Sequence, residues 1–223
     1  MIWPKWLTWT AGGLAAVATV LVARKVATAS GLGFTPPPMP TCDDSIQALH
    51  HGGTRDLSGG RIRLIVLHST EGGTARGAAG WFAADASEGS THVVVDDEEC
   101  YLTLPEDVVP WGAKGDAVNE DGLHVEMAGY AKWSRDEWLE RRKRIENAAA
   151  VVLDWAKRYD VPLVFLDADA LRAAGNDARG ITSHREITKA YDISGGHQDP
   201  GPDFPIDVFM ELVGGKAPEG FVA

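Results

Sequence analysis

The chain has little cysteine and a shortage of cations, and each shortage removes a class of protein. Only two of its 223 residues are cysteine, Cys42 and Cys100. Neither stands in a CxxC pair, which sets aside a cysteine-ligated metal and a dithiol redox motif. One disulfide between them and two free thiols both stay open, because spacing along the chain does not report the approach of two Cα atoms. Lys and Arg number 21 against 32 Asp and Glu, a formal net charge of -11. Three of the basic residues, Lys5, Arg24 and Lys25, and none of the acidic ones fall in residues 1–40, so the remainder carries 18 cations against 32 anions. Such a surface suits nucleic acid poorly, since the phosphate backbone selects cationic patches. No internal repeat is apparent anywhere in the chain.

Long apolar runs are also scarce, with one exception. Residues 6–22 hold no charge and are rich in Ala, Val, Leu and Gly, with Lys5 before them and Arg24 and Lys25 after. Their number is at the short limit for spanning a bilayer, where about 20 residues are typical. Trp3, Trp6 and Trp9 cluster at one end as an interfacial anchor would. Residues 1–29 are therefore expected to be a membrane segment. Arg24 and Lys25 before the small-residue run Ala27-Thr28-Ala29 favour a retained signal anchor over a cleaved signal peptide. Residues 30–60 read as a linker, stiffened by Pro36, Pro37, Pro38 and Pro40. The rest of the chain, which is 44% apolar over its whole length, is long enough for one cored domain of about 150–170 residues.

Within that domain strands and helices alternate as in an α/β protein. Residues 61–68 form an apolar run that reads as a buried strand ending on His68. Thr74 to Ala84 reads as a helix. Ser134 and Glu137 have capping-box spacing and are expected to open a long helix reaching Tyr159. On it Ile145, Ala149, Val152 and Ala156 form a buried stripe, with Arg141, Arg142, Lys143 and Arg144 on a solvated face. Residues 162–166 read as another short strand, residues 205–213 as a closing helix, and 216–223 as a tail.

Two histidines and a carboxylate draw attention. His68 closes the first strand, His184 follows Gly180-Ile-Thr-Ser, and Asp199 heads the turn Asp199-Pro200-Gly201-Pro202. That donor set suits zinc and leaves a fourth tetrahedral position for water. A histidine at a strand end is nonetheless more often a hydrogen-bonded core or surface residue than a ligand. The alternation of Leu123, Val125 and Met127 with His124 and Glu126 places the last two on one strand face, either as a cleft floor or as buried pairing groups.

Six short stretches decide between these readings. They are Ile65-Val-Leu-His-Ser-Thr70, Ser90-Thr-His-Val-Val-Val-Asp96, Val109-Pro-Trp111, Gly122-Leu-His-Val-Glu-Met-Ala-Gly-Tyr130, Ser183-His-Arg-Glu-Ile187 and His197-Gln-Asp-Pro-Gly-Pro202. In content and order they resemble the type 2 N-acetylmuramoyl-L-alanine amidases, a zinc-dependent family that includes many phage endolysins and is related to peptidoglycan-recognition proteins. The resemblance runs from about Arg61 to Val213. It implies a mixed central β-sheet flanked by helices on both sides, in a domain spanning residues 61–215. It makes His68, His184 and Asp199 the ligands of one zinc ion, Glu126 the general base, and His197 a cation or N–H donor for the oxyanion where a lysine is common. His92 corresponds to a position near substrate and is either cleft wall or packed interior. Trp111 is either a stacking platform or core. The family often has Trp-His-Ala-Gly where this chain reads Trp111-Gly112-Ala113-Lys114, so one histidine is missing.

The expected activity is zinc-dependent hydrolysis of the amide between N-acetylmuramic acid and L-alanine in peptidoglycan, in wall lysis or remodelling. The expected location is membrane-anchored or exported, with the domain facing the wall. The alternative is a non-catalytic module that keeps the fold and binds peptidoglycan; loss of a zinc ligand is its usual sign, and here all three are retained.

Overall fold

Leu64–Ser69 (β1) and Gly122–Met127 (β4) are buried almost throughout, and strands covered on both faces belong to the middle of a parallel sheet. A computed structural model of the chain, describing residues 34–59, 61–114, 116–193 and 196–217, places them there. The sheet has five strands in the order β3-β2-β4-β1-β5, with Val93–Val95 as β2, Cys100–Leu102 as β3 and Gly180–Ser183 as β5. β1 runs parallel to β4 and β5, β2 parallel to β4, and β3 antiparallel at one edge. The sheet is mixed, as expected.

Alternation along the strands sends successive side chains to opposite faces. Ile65, Leu67, Leu123, Val125 and Met127 enter one large core with Ile145, Ala149, Val152 and Trp155 of helix α4 (Arg142–Arg158) and Phe209 and Met210 of α7 (Ile206–Leu212). Each fully buried Val, Leu, Ile, Met or Phe among them stabilises the fold by about 1.5–3 kcal/mol. The opposite face is covered in two separate patches. Ala75 and Ala79 of α1 (Ala75–Phe82) pack on Val94 and Tyr101. Leu171 of α5 (Ala168–Ala174) and Ile187 of α6 (His184–Ala190) pack with Leu64 and Val66. Between the patches the C-terminal ends of β1 and β4 are left without a helix over them, and the cleft opens there.

Several local expectations need correction. The capping box at Ser134 and Glu137 is present, but it opens only α3 (Arg135–Leu139), and a second helix begins at Arg142. Asp97 caps that second helix from a distant loop, its carboxylate accepting the Arg144 amide at 2.9 Å. Arg144 is therefore not on a solvated face: it is buried, ion-paired with Asp97 and bonded to the Ala128 carbonyl. Residues 162–166 form no strand. They make two isolated bridges, Val164 with Lys216 and Phe165 with Ile181, in a stretch opened by Pro162, which has no amide hydrogen to donate.

The segment expected as linker lies partly against the domain. Cys42 is disulfide-bonded to Cys100, and Asp43, Ala48 and Gly52 exchange backbone hydrogen bonds with the residues after β2. Arg55 is buried without an ion pair among the described residues; its guanidinium donates to the carbonyls of Glu106, Asn119, Glu120 and Gly122. Those of Asn119 and Glu120 end helix α2 (Asp116–Glu120), where a cation suits the negative end of the dipole. The chain divides into Met1–Leu32 and Gly33–Ala223, and the expected membrane segment lies outside the described residues. Among those described, no helix is long and apolar enough to cross a membrane.

Candidate active site

Register delivers the first two groups. His68 and Glu126 are partners across the β1–β4 ladder, and partners in a ladder point to the same face. β5 then ends at Ser183, whose hydroxyl caps α6, so that His184 occupies the first helical position. The third group comes from a loop. The Arg185 amide donates to the Asp199 carbonyl at 2.8 Å and ties the Asp199 turn to α6. Gly201, at φ +104°, closes the turn against the Ala131 carbonyl, where a Cβ would collide.

These elements bring His68, His184 and Asp199 together, all buried, with one donor atom of each within 4.8 Å of the others. His68 Nδ1 lies 3.1 Å from Asp199 Oδ2, and His184 Nδ1 lies 3.2 Å from Oδ1. Oδ1 is at ion-pair distance but makes no aligned hydrogen bond, leaving a buried oxygen without a partner. An orphaned carboxylate oxygen facing two imidazole nitrogens is the donor set of a borderline-soft dication, and the residues fit zinc.

Electrostatics in the site follow from burial. Burial alone would raise the Asp199 pKa, but the adjacent His184 and His68 outweigh it and hold the carboxyl well below the usual range. Burial lowers the pKa of His68, partly offset by Asp199. Glu126 is pushed well above an ordinary carboxylate, first by burial and then by the charges of Asp199 and Glu71. Its Oε1 stands 4.0 Å from His68 Nδ1, and its Oε2 has no hydrogen-bond partner.

The site opens into a cleft of about 940 Å³. Glu126 and Asp199 lie in its floor, and His197, 65% exposed in its side chain, stands at the rim. The His197 ring stacks on His184 at 4.7 Å between centroids. Trp111 lines the cleft half exposed rather than joining the core, backed by a parallel His50 ring at 6.0 Å. His92 does not reach the cleft. It is wholly buried, accepting the His124 amide on Nδ1 and directing Nε2 to the Val108 carbonyl. Burial, then the adjacent Arg55 charge, depress its pKa to about 3. It is packed interior, and the expected substrate contact is not made from this position.

Two cleft residues escape sequence reasoning. Trp81 is 56% exposed on the cleft wall; the sequence marks it only as part of a helix, and an aromatic among alanines and glycines is its one signal. Glu71 takes a left-handed backbone, φ +51°, and accepts hydrogen bonds from the Ala131 amide and the Ser69 hydroxyl. Nothing in its local sequence marks it.

A family model described as N-acetylmuramoyl-L-alanine amidase matches residues 58–202. No curated protein sequence matches the chain. Among solved structures, the chain is similar to the hydrolase AmiA of Staphylococcus aureus, in complex with its ligand, at a TM-score of 0.59 and 18% identity, covering 79% of this chain and 82% of that one. A selenomethionine derivative of AmpD gives 0.54 and 16%, covering 81% and 99%. At such identities the likeness shows the fold.

Proposed function

Because the chain belongs to the N-acetylmuramoyl-L-alanine amidase family and is an enzyme of that class, we propose that it hydrolyses the amide joining N-acetylmuramic acid to L-alanine of the peptidoglycan stem, with zinc held by His68, His184 and Asp199. The observation that carries this reading is the convergence of those three side chains beside Glu126 in the floor of one cleft.

Zinc, when bound, would supply Lewis acidity to the scissile carbonyl and make a water a usable nucleophile near neutral pH. The protein's own groups handle the protons. Glu126 takes one proton from the attacking water as its oxygen bonds to the carbonyl carbon. It returns that proton to the alanine nitrogen as the C–N bond breaks. The products are a lactyl carboxylate and a stem peptide with a free amino terminus. Burial and the charge of Asp199 raise the Glu126 pKa, which strengthens it as the base that takes the first proton. His197, at the rim on the face of His184, would donate an N–H to the oxyanion. Trp111 offers an exposed indole face to a sugar or the stem peptide. On this reading the uncharged run of residues 6–22 holds the domain at the membrane, facing the wall, for lysis or remodelling.

The test is to incubate the chain with purified peptidoglycan, with and without a zinc chelator, and to identify soluble products by mass spectrometry. Stem peptides beginning with free L-alanine, lost on chelation and restored by zinc, are expected. Domain that pellets with the wall while glycan and peptide stay joined would refute catalysis and leave a binding module.

A further inference from the structure

His68 has two ring nitrogens and only one of them faces the cleft. Nδ1 stands 3.1 Å from Asp199 Oδ2; Nε2 points the other way and lies 3.0 Å from Nδ1 of His124. Two imidazole nitrogens at that distance share one proton, and a neutral ring has one donor and one acceptor nitrogen. Which ring donates is therefore set by what each meets on its far side.

We propose that His124 is the positioning residue of the metal centre: its Nδ1 accepts the Nε2 proton of His68, fixing the tautomer and ring plane that leave His68 Nδ1 free to bind the cation beside Asp199. The proposal rests on the reading of His68 as a zinc ligand.

The surroundings of His124 are built to hold one ring orientation. Its amide donates to His92 Nδ1 at 3.1 Å, and its carbonyl accepts from the His92 amide at 3.2 Å and the Thr91 hydroxyl at 2.9 Å. The ring lies in a slot between two glycines. A Cβ at Gly112 would collide with His124 Nδ1, and one at Gly122 would come within 3.0 Å of Nε2. The His124 ring passes through the space that a side chain at position 112 would take. Nε2 of His124 is buried without an aligned partner, and the Val118 carbonyl is the acceptor on its side. Burial, then the neighbouring His68 and His92, keep this ring neutral.

The proton positions can be traced through cation binding. Without a cation, the Asp199 carboxylate can only accept, so His68 carries its proton on Nδ1. His68 Nε2 then accepts from His124 Nδ1. A cation on His68 Nδ1 requires the proton on Nε2 instead. His124 Nδ1 becomes the acceptor and its own proton moves to Nε2, towards Val118. Both rings exchange tautomers, and neither gains nor loses a proton. A second histidine that merely filled space would show no such coupled change.

The experiment uses the full chain labelled with ¹⁵N-histidine. Long-range ¹H–¹⁵N spectra of the metal-free and zinc-loaded protein assign the protonated nitrogen of each ring. Zinc affinity is measured by competition with a chromogenic chelator for the wild type, His124→Leu and His124→Asn. Both His68 and His124 should change from Nδ1–H to Nε2–H on loading. His124→Leu should weaken zinc by about 10–100-fold, and His124→Asn, whose Oδ1 replaces the accepting nitrogen, should recover most of that loss. If His68 stays protonated on Nδ1 in the loaded protein, or the Leu variant binds zinc as tightly as wild type, the proposal is overturned. If the Leu variant does not fold, the wild-type spectra and the Asn variant decide. Failure to bind zinc at all would overturn the metal reading as well. Zinc-dependent release of stem peptides without the tautomer change would overturn this inference alone.

Discussion

Acidifying the metal-free protein from pH 7.5 to 4.5 should destabilise it by about 2.7 kcal/mol through His92 alone. The ring is fully buried and neutral, with Nδ1 committed as an acceptor to the His124 amide and Arg55 3.0 Å from Nε2. Burial and that cation hold its folded pKa at about 3, against about 6.5 in the unfolded chain. Between these values the unfolded chain binds a proton that the folded one refuses. Stability therefore rises with pH: the contribution is whole above about 6.5 and is lost, by about 1.4 kcal/mol per pH unit, as pH falls towards 3. His124 is lowered by burial, then by His68 and His92, and acts in the same direction. With a typical domain stability of about 5–15 kcal/mol, a loss of this size is readily measured. The assay is urea unfolding of chelator-treated protein at four pH values, alongside His92→Asn, which should be weaker at neutral pH yet less dependent on pH. A wild-type stability that stays flat between pH 6.5 and 5, or an equal slope in the variant, would refute the reasoning.

The site and the fold each carry one more expected outcome. Glu126→Gln keeps the side-chain volume and removes the base; kcat should fall about 10²–10⁴-fold while zinc content, measured by metal analysis, stays at the wild-type level. A variant that kept more than a tenth of the rate would deny Glu126 its role. Replacing both Cys42 and Cys100 by alanine opens a loop with a sequence separation of 58 and should cost up to about 4 kcal/mol by the chain-entropy relation. An unchanged urea midpoint would mean that the hydrogen bonds from Asp43 to Arg55 hold the segment unaided.

The parts of this fold legible in the sequence are those written in short-range pattern. The run ending on His68, the stripe of Ile145, Ala149, Val152 and Ala156, and the alternation around Glu126 each carry their periodicity openly. The order of six short stretches then brings His68, His184 and Asp199 into consideration together. Features set by distant partners could not be read. Asp97 caps α4 from 47 residues away and pairs with Arg144, which local composition assigns to solvent. Alternation puts His124 beside Glu126 on one face, but does not disclose the glycines that let its ring lie flat behind His68. His92 shares that strand-like signal and ends in the interior, in contact with Arg55 from a stretch that reads as a tether.

That arginine has a practical consequence for anyone trimming the chain. The family match begins at residue 58, a natural place to start an expressed fragment, yet a fragment cut there discards the guanidinium that occupies four backbone oxygens between Glu106 and Gly122. Buried oxygens stripped of their donor are a standing penalty on the native state. A fragment that keeps these contacts, and the Cys42–Cys100 bridge with them, should therefore unfold at higher urea than one cut at residue 58.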